Sequence, residues 1–332
     1  MHTRYSIPTT YAIPHGRIAV QSSLWGITTL FDASRAQCRI DNYREFRARS
    51  HAQGLPLVTV ELVTGDAPFQ LRPEDADILI QRRTRSVLWQ KERLLNLALE
   101  QLPASSTGVC WIDADVLFED DDWVTETQQL LSKHVVLQPF SVCIRLPEGG
   151  RPEDFPSSEV GRSIPAGDGE GTHVRSVCQH MARWPRRFTG TTGYAWVARR
   201  QLLDAVGFYD RCIVGGGDRE IALAAHYQAG KAPAKSRRVR SQRLIADITR
   251  WHERVAAVVD GRVGYRQGAI YHLFHGAAAK RSYTDRHAIL ADHDFDPELD
   301  LALDENGCWR FATDKPALIE AVNAYFESRR ES

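Results

Sequence analysis

Apolar and polar positions in the first half of the chain alternate between the two-residue rhythm of strands and the three-to-four-residue rhythm of helices. The pattern predicts strands over residues 18–21, 56–63 and 78–81, a helix over 42–51, and a stronger helix over 88–102 that carries Leu94, Leu95, Ala98, Leu99 and Leu102 on one face. An unbroken apolar run, Val109-Cys110-Trp111-Ile112, leads into Asp113-Ala114-Asp115 and on to Val116-Leu117-Phe118. Such a run predicts a buried central strand. A short helix over 124–131 and a strand over 135–140 follow. This βαβαβ succession predicts an α/β fold with a mostly parallel central sheet flanked by helices, in which ligands bind beyond the carboxyl ends of the strands.

The rhythm is lost between residues 147 and 184. Gly149-Gly150, Pro152, Pro156 and Gly167-Asp168-Gly169-Glu170-Gly171 leave little to build a core, so a long mobile loop is expected, placed to serve as a lid. Periodicity returns with a strand over 193–198 and helices over 200–206, 218–229 and 242–258. The Lys- and Arg-rich run 231–243 reads as a solvated connection. A strand over 269–275 and an amphipathic helix over 316–330 complete the chain. The expected organisation is an N-terminal extension over 1–16, a main domain over 17–290 with the 147–184 loop, and a C-terminal strand and helix over 291–332 packed upon it.

With 332 residues, 43% of them hydrophobic and 25% charged, the chain has the composition of a globular protein. Its 42 basic residues balance 42 acidic ones, so no net field gathers nucleic acid or an anionic membrane, and no nucleic-acid partner is expected. The six cysteines (Cys38, Cys110, Cys143, Cys178, Cys212, Cys308) form no C-x-x-C pair, as expected of reduced thiols in a cytoplasmic protein. No signal-peptide pattern opens the chain, and no apolar run is long enough for a transmembrane segment.

Candidate chemistry starts at Asp113 and Asp115. On an extended strand, side chains at i and i+2 share a side, so both carboxylates are expected to face one divalent cation, for which Mg²⁺ and Mn²⁺ are suited. The plain alternative is a polar loop capping a strand. His272 and His275 reach one cation only if the chain turns between them; a flat strand points them apart. Gly215-Gly216-Gly217-Asp218-Arg219-Glu220 places acids at a helix start after a flexible turn, fit either for N-terminal capping or for a general base, with Asp218 first and Glu220 in reserve. Trp89, Lys91 and Arg93 put an aromatic and two cations at a helix start near the ligand edge of the sheet.

Together these residues resemble the GT-A glycosyltransferases, in particular the catalytic domains of the β-1,4-galactosyltransferases and the polypeptide N-acetylgalactosaminyltransferases, over roughly residues 18–286. The run from Trp89 to Asn96 is similar to the family's F-N-R-A-K-L-L-N helix, which helps hold a uridine nucleotide. Gly216-Gly217-Asp218-Arg219-Glu220-Ile221 is similar to its acceptor-side motif, and Asp115 with His272 and His275 to its D-x-D and M-x-x-H metal ligands. The first histidine replaces a methionine, which moves the expected cation from Mn²⁺ toward Mg²⁺.

The resemblance implies a UDP-sugar donor and a hydroxyl acceptor on a glycan, peptide or small molecule. It further implies that Asp218 acts as an inverting base, that Asp113 contacts the ribose or the metal's water shell, and that Trp89, Lys91 and Arg93 hold the nucleotide. Lys280 and Arg281 would offset diphosphate charge. The alternatives are a nucleotidyltransferase or sugar-nucleotide hydrolase, and a silent UDP-sugar binding module.

Overall fold

The computed structural model describes residues 11–12, 23–31, 36–185, 187–227, 241–276 and 286–328. Strand β1 (Tyr11–Ala12) is followed by β2 (Leu24–Phe31), helix α1 (Gln37–Ala52), β3 (Leu57–Thr64), β4 (Ile78–Thr84), α2 (Lys91–Leu99) and β5 (Gly108–Ile112). The strand expected over 18–21 lies outside the described residues. β2, β3 and β5 are buried along almost their whole length, as their continuous apolar runs require, and with β4 they form a parallel block in the order β4-β3-β2-β5.

The chain then crosses to a second, smaller sheet. β6 (Val116–Phe118) leads through α3 (Trp123–Leu130) to β7 (Val136–Gln138), β8 (Val142–Arg145), β9 (Thr172–Arg175), α4 (Val177–Arg183), β10 (Ala195–Arg199), α5 (Arg200–Val206) and α6 (Gly217–Ala225). After α7 (Gln242–Val259), β11 (Val263–Tyr265) and β12 (Ala269–His272) come α8 (Arg286–Asp292), β13 (Leu301–Leu303), β14 (Trp309–Phe311) and α9 (Pro316–Ser328). The main sheet runs β1-β4-β3-β2-β5-β10-β7-β11, with β10 antiparallel to both its neighbours, and the smaller one runs β6-β12-β8-β9. The α/β class is as expected, with one antiparallel strand set inside the sheet.

Two apolar cores pack the faces of the main sheet, and β5 divides itself between them by the alternation of a strand. Val109 and Trp111 join Leu94, Leu95, Ala222 and Trp251, whereas Cys110 and Ile112 join Tyr43, Phe46, Phe118 and Phe140. Helices α2, α6 and α7 therefore cover one face and α1 the other.

Three expectations are corrected here. The apolar run around the aspartates is not one strand, because β5 stops at Ile112 and β6 starts at Val116 in the other sheet. Residues 147–184 are not structureless: β9 pairs antiparallel with β8, and Ser176 caps α4 by accepting from the Gln179 N–H at 3.0 Å. Glycine and proline density hid the short elements between the turns. At the C-terminus a hairpin, not one strand, precedes α9, and Phe295, Cys308, Leu318 and Val322 are buried in the same core as α2. Much of the run 231–243 lies outside the described residues. No described helix is long and apolar enough to cross a membrane.

Candidate active site

The turn between the two sheets makes the site. The Asp113 N–H donates to the Tyr194 carbonyl at 2.8 Å, the Val116 N–H reaches back to the Asp113 carbonyl at 3.3 Å, and the Leu273 N–H donates to the Asp115 carbonyl at 2.9 Å. Because the backbone turns here, the two carboxylates part company, against the expectation for an extended strand. Asp115 goes to the histidines and Asp113 to a lysine.

β12 ends at His272, and the chain turns after it, which brings the second histidine back toward the first. The two Nε2 atoms lie 3.2 Å apart, and the Asp115 carboxylate is 3.1 Å from His275 Nε2 and 3.8 Å from His272 Nε2. One ligand atom from each residue lies within 4.8 Å of the others. Two imidazole nitrogens this close repel unless a proton or cation lies between them. Asp115 Oδ1 is buried and accepts no hydrogen bond among the described residues, which fits an oxygen left for a metal. The shift toward Mg²⁺ expected from the first histidine is corrected here: a donor set of two nitrogens and one carboxylate suits a first-row transition ion such as Mn²⁺ better than Mg²⁺, which prefers oxygen throughout.

The second half of the site is built around Lys91, at the first position of α2. Its Nζ lies 2.6 Å from Asp113 Oδ1 and donates to Asp218 at 3.0 and 3.2 Å. Burial works against the lysine's charge, but Asp113 and then Asp218 outweigh it and hold the ammonium well above the usual lysine range. Burial likewise lifts the Asp218 pKa above the ordinary carboxylate value, with Lys91 opposing and Asp113 adding to the rise. Asp218 keeps 28% of its side chain exposed, enough to meet a ligand.

The glycine turn that presents Asp218 is tightly packed. Gly216 caps α6 at φ 109°, and a Cβ there would lie 2.9 Å from His287 Cε1; a Cβ on Gly217 would collide with the Glu92 carboxylate. Glu92 is buried and accepts from Trp89 Nε1 at 2.9 Å. Desolvation, reinforced by the Asp218 charge, pushes its pKa up to about 8.

The remaining expected site residues fall elsewhere. Arg93 faces away from Lys91: its Nε donates to the Gly307 carbonyl at 2.6 Å and its Nη1 pairs with Asp210 at 3.5 Å, docking the C-terminal hairpin. Glu220 is buried on the α7 side of α6, 3.0 Å from His252 Nε2, and does not line the turn with Asp218. In both cases a two-residue step along a helix turns the side chain through about 200°. Trp89 is half-buried, its ring edge-on to Phe31 at 5.3 Å. Lys280 and Arg281 lie outside the described residues.

Sequence reasoning missed Glu92, Arg145 and Tyr194. A single acid in the first turn of a helix looks like ordinary N-terminal charge. Arg145 donates through Nε to the Tyr194 hydroxyl at 2.8 Å and lies in register with His272 on the adjoining strand. Only the pairing of β8 with β12 makes that visible.

No family model matches the sequence, and no curated protein is similar to it. Among solved structures, the chain is similar to residues 1–349 of S. aureus TarS in complex with UDP-GlcNAc, at 11% identity and a TM-score of 0.40, over 71% of this chain and 67% of that one. It is also similar to the catalytic domain of Drosophila β-1,4-galactosyltransferase 7 in complex with xylobiose (11% identity, TM-score 0.30, 64% of this chain and 65% of that one). TarS and the galactosyltransferase are GT-A glycosyltransferases. A third likeness is to a putative glucose-1-phosphate thymidylyltransferase from Bacillus anthracis (11% identity, TM-score 0.34, 81% and 96% covered). The chain spans about two thirds of the length of the TarS fragment and slightly less of the galactosyltransferase domain. With TM-scores below 0.5, these likenesses carry no weight for chemistry.

Chemically, the site joins two devices across one turn. A transition-metal donor set lies on the Asp115 side, and a carboxylate held against a buried ammonium lies on the Asp113 side.

Proposed function

We propose that the chain is a metal-dependent glycosyltransferase that moves a sugar from a UDP-sugar to an acceptor hydroxyl with inversion, with Asp218 as general base. The observation that carries this reading is the convergence of Asp115, His272 and His275 on one point, beside a turn whose other aspartate is bound through Lys91 to Asp218. Asp115, His272 and His275 would hold the cation. When bound, it supplies positive charge against the diphosphate of the departing nucleotide.

The protein's own groups do the rest. Lys91 neutralises Asp113, which leaves Asp115 as the turn's metal ligand and Asp113 on the donor side of the pair. Asp218, paired with Lys91, keeps a solvent-reaching carboxylate, which takes the proton of an acceptor hydroxyl as that oxygen attacks the sugar. Burial raises its pKa, which strengthens it as a base, and Lys91 opposes that rise.

The test is turnover of a panel of UDP-sugars with Mn²⁺, with and without candidate glycan, peptide and small-molecule acceptors. Release of UDP with transfer of the sugar at inverted configuration is expected. Release of UMP would reassign the chain to nucleotide hydrolysis or nucleotidyl transfer, and UDP binding with no turnover to a binding module.

A further inference from the structure

Tyr194 holds a backbone conformation that a tyrosine rarely adopts. Its φ is 80°, in the left-handed region where a Cβ is disfavoured, although the preceding residue is a glycine that does not carry a positive φ. Such a conformation persists where surrounding contacts over-determine it, and four contacts do so. The Tyr194 carbonyl accepts from the Asp113 N–H at 2.8 Å, which continues the β5–β10 ladder by one rung beyond Ala195 and Ile112. The hydroxyl accepts from Arg145 Nε at 2.8 Å. The ring lies 5.1 Å from the His272 ring at 56°, and Phe140 meets it edge-on at 6.3 Å. Arg145 itself is the register partner of His272 on the neighbouring strand, and it also donates to the Gly167 carbonyl. Backbone, ring and hydroxyl of one residue thus touch the aspartate turn, a candidate ligand and the strand beside that ligand.

From this geometry we infer that Tyr194 is a positioning residue for the metal site: its ring and its bond to Arg145 fix the His272 imidazole in the orientation that aims Nε2 at Asp115 and His275. The inference rests on the metal reading above. An imidazole that is free to rotate must be ordered when a cation binds, and a neighbour that holds it beforehand removes that cost. Loss of such outer partners characteristically weakens metal binding about 10–100-fold. The positive φ is the strain that accompanies this placement, because the chain must turn at Tyr194 for the ring to cross to His272 while the carbonyl stays on Asp113.

The test is Mn²⁺ affinity, measured on the full chain from the electron paramagnetic resonance signal of free Mn²⁺, for the wild type, Tyr194→Phe and Tyr194→Gly. Tyr194→Gly, which keeps the backbone conformation and removes the ring, is expected to bind Mn²⁺ at least about tenfold more weakly. Tyr194→Phe keeps the ring and releases Arg145, and should fall between the two. A tyrosine with a merely structural role would lower the melting temperature of the metal-free protein and leave the Mn²⁺ affinity of the folded fraction unchanged. Unchanged affinity in a folded Tyr194→Gly overturns the inference and leaves the metal site standing. If Tyr194→Gly does not fold, Tyr194→Phe decides, with wild-type affinity as the overturning result. A wild-type chain that binds no Mn²⁺ overturns the metal reading and this inference with it.

Discussion

Lys91 sits between two carboxylates that have different tasks, and the consequences are measurable residue by residue. Asp218→Asn retains the shape of the side chain and an oxygen for Lys91 but cannot take a proton. Sugar transfer should fall by about 10²–10⁴-fold while UDP affinity stays near that of the wild type, measured by steady-state kinetics and calorimetry. Lost UDP affinity would make Asp218 a structural partner of Lys91 instead of a base. Glu92 gives a pH-dependent counterpart. Its pKa is about 8 in the folded chain against an ordinary 4.5, so the folded state carries the additional proton between those values. Its contribution to stability therefore falls as pH rises through that window. Glu92→Gln cannot ionise, and its melting temperature relative to wild type should rise between about pH 5 and pH 8. A constant difference would show that the carboxylate is not shifted in this direction. The D-x-D triplet and the histidine pair are each too common to stand out alone, and they were picked out by their order and spacing along the chain against a known family pattern. Glu92 was not, since its burial beneath Gly217 comes from packing that no local pattern encodes.

At the level of elements, α2 shows how far periodicity reaches. Its apolar face was plain from Leu94, Leu95 and Ala98, and these residues are buried. Which polar face meets the ligand was not plain. Lys91 turns toward the aspartates, while Arg93 and Gln90 hold the C-terminal hairpin, Gln90 through the Trp309 carbonyl at 2.7 Å and the Trp309 N–H at 3.0 Å. Arg93→Ala should consequently cost about 1–3 kcal/mol of unfolding free energy by urea titration and leave UDP affinity unaltered. Weakened UDP binding without lost stability would restore Arg93 to the nucleotide site. The same limit explains the strands. Long runs such as β2 and β3 stand out by composition, whereas β6, β9 and β11 are three or four residues long and owe their existence to partners from distant parts of the chain. His272 was expected in the middle of a strand over 269–275; it is instead the last residue of β12, paired with Val116 on one side and Arg145 on the other, and the turn follows it.

For the whole molecule, the placement of the C-terminal segment decides whether the site stands alone. We propose that residues 291–332 belong to the same folding unit as the residues that form the site. Phe295, Cys308, Leu318 and Val322 are fully buried against the core that supports α2 and α6, and Tyr325 lies within hydrogen-bonding distance of Arg286 Nη1 at 3.3 Å. Arg286 in turn packs at Gly215, in the turn that presents Asp218. Removing the segment would uncover apolar surface on α2 and take away one of the partners of Arg286. At about 1.5–3 kcal/mol for each buried apolar side chain, the loss of four is about 6–12 kcal/mol, comparable with the whole stability of a typical domain at about 5–15 kcal/mol. A chain ending at residue 290 should therefore show no cooperative thermal transition and no UDP binding by calorimetry. If it melts cooperatively and binds UDP as the full chain does, the C-terminal segment is an appended unit, and the Asp218 turn is held by its contacts with Lys91, Glu92, Arg286 and His287 without it.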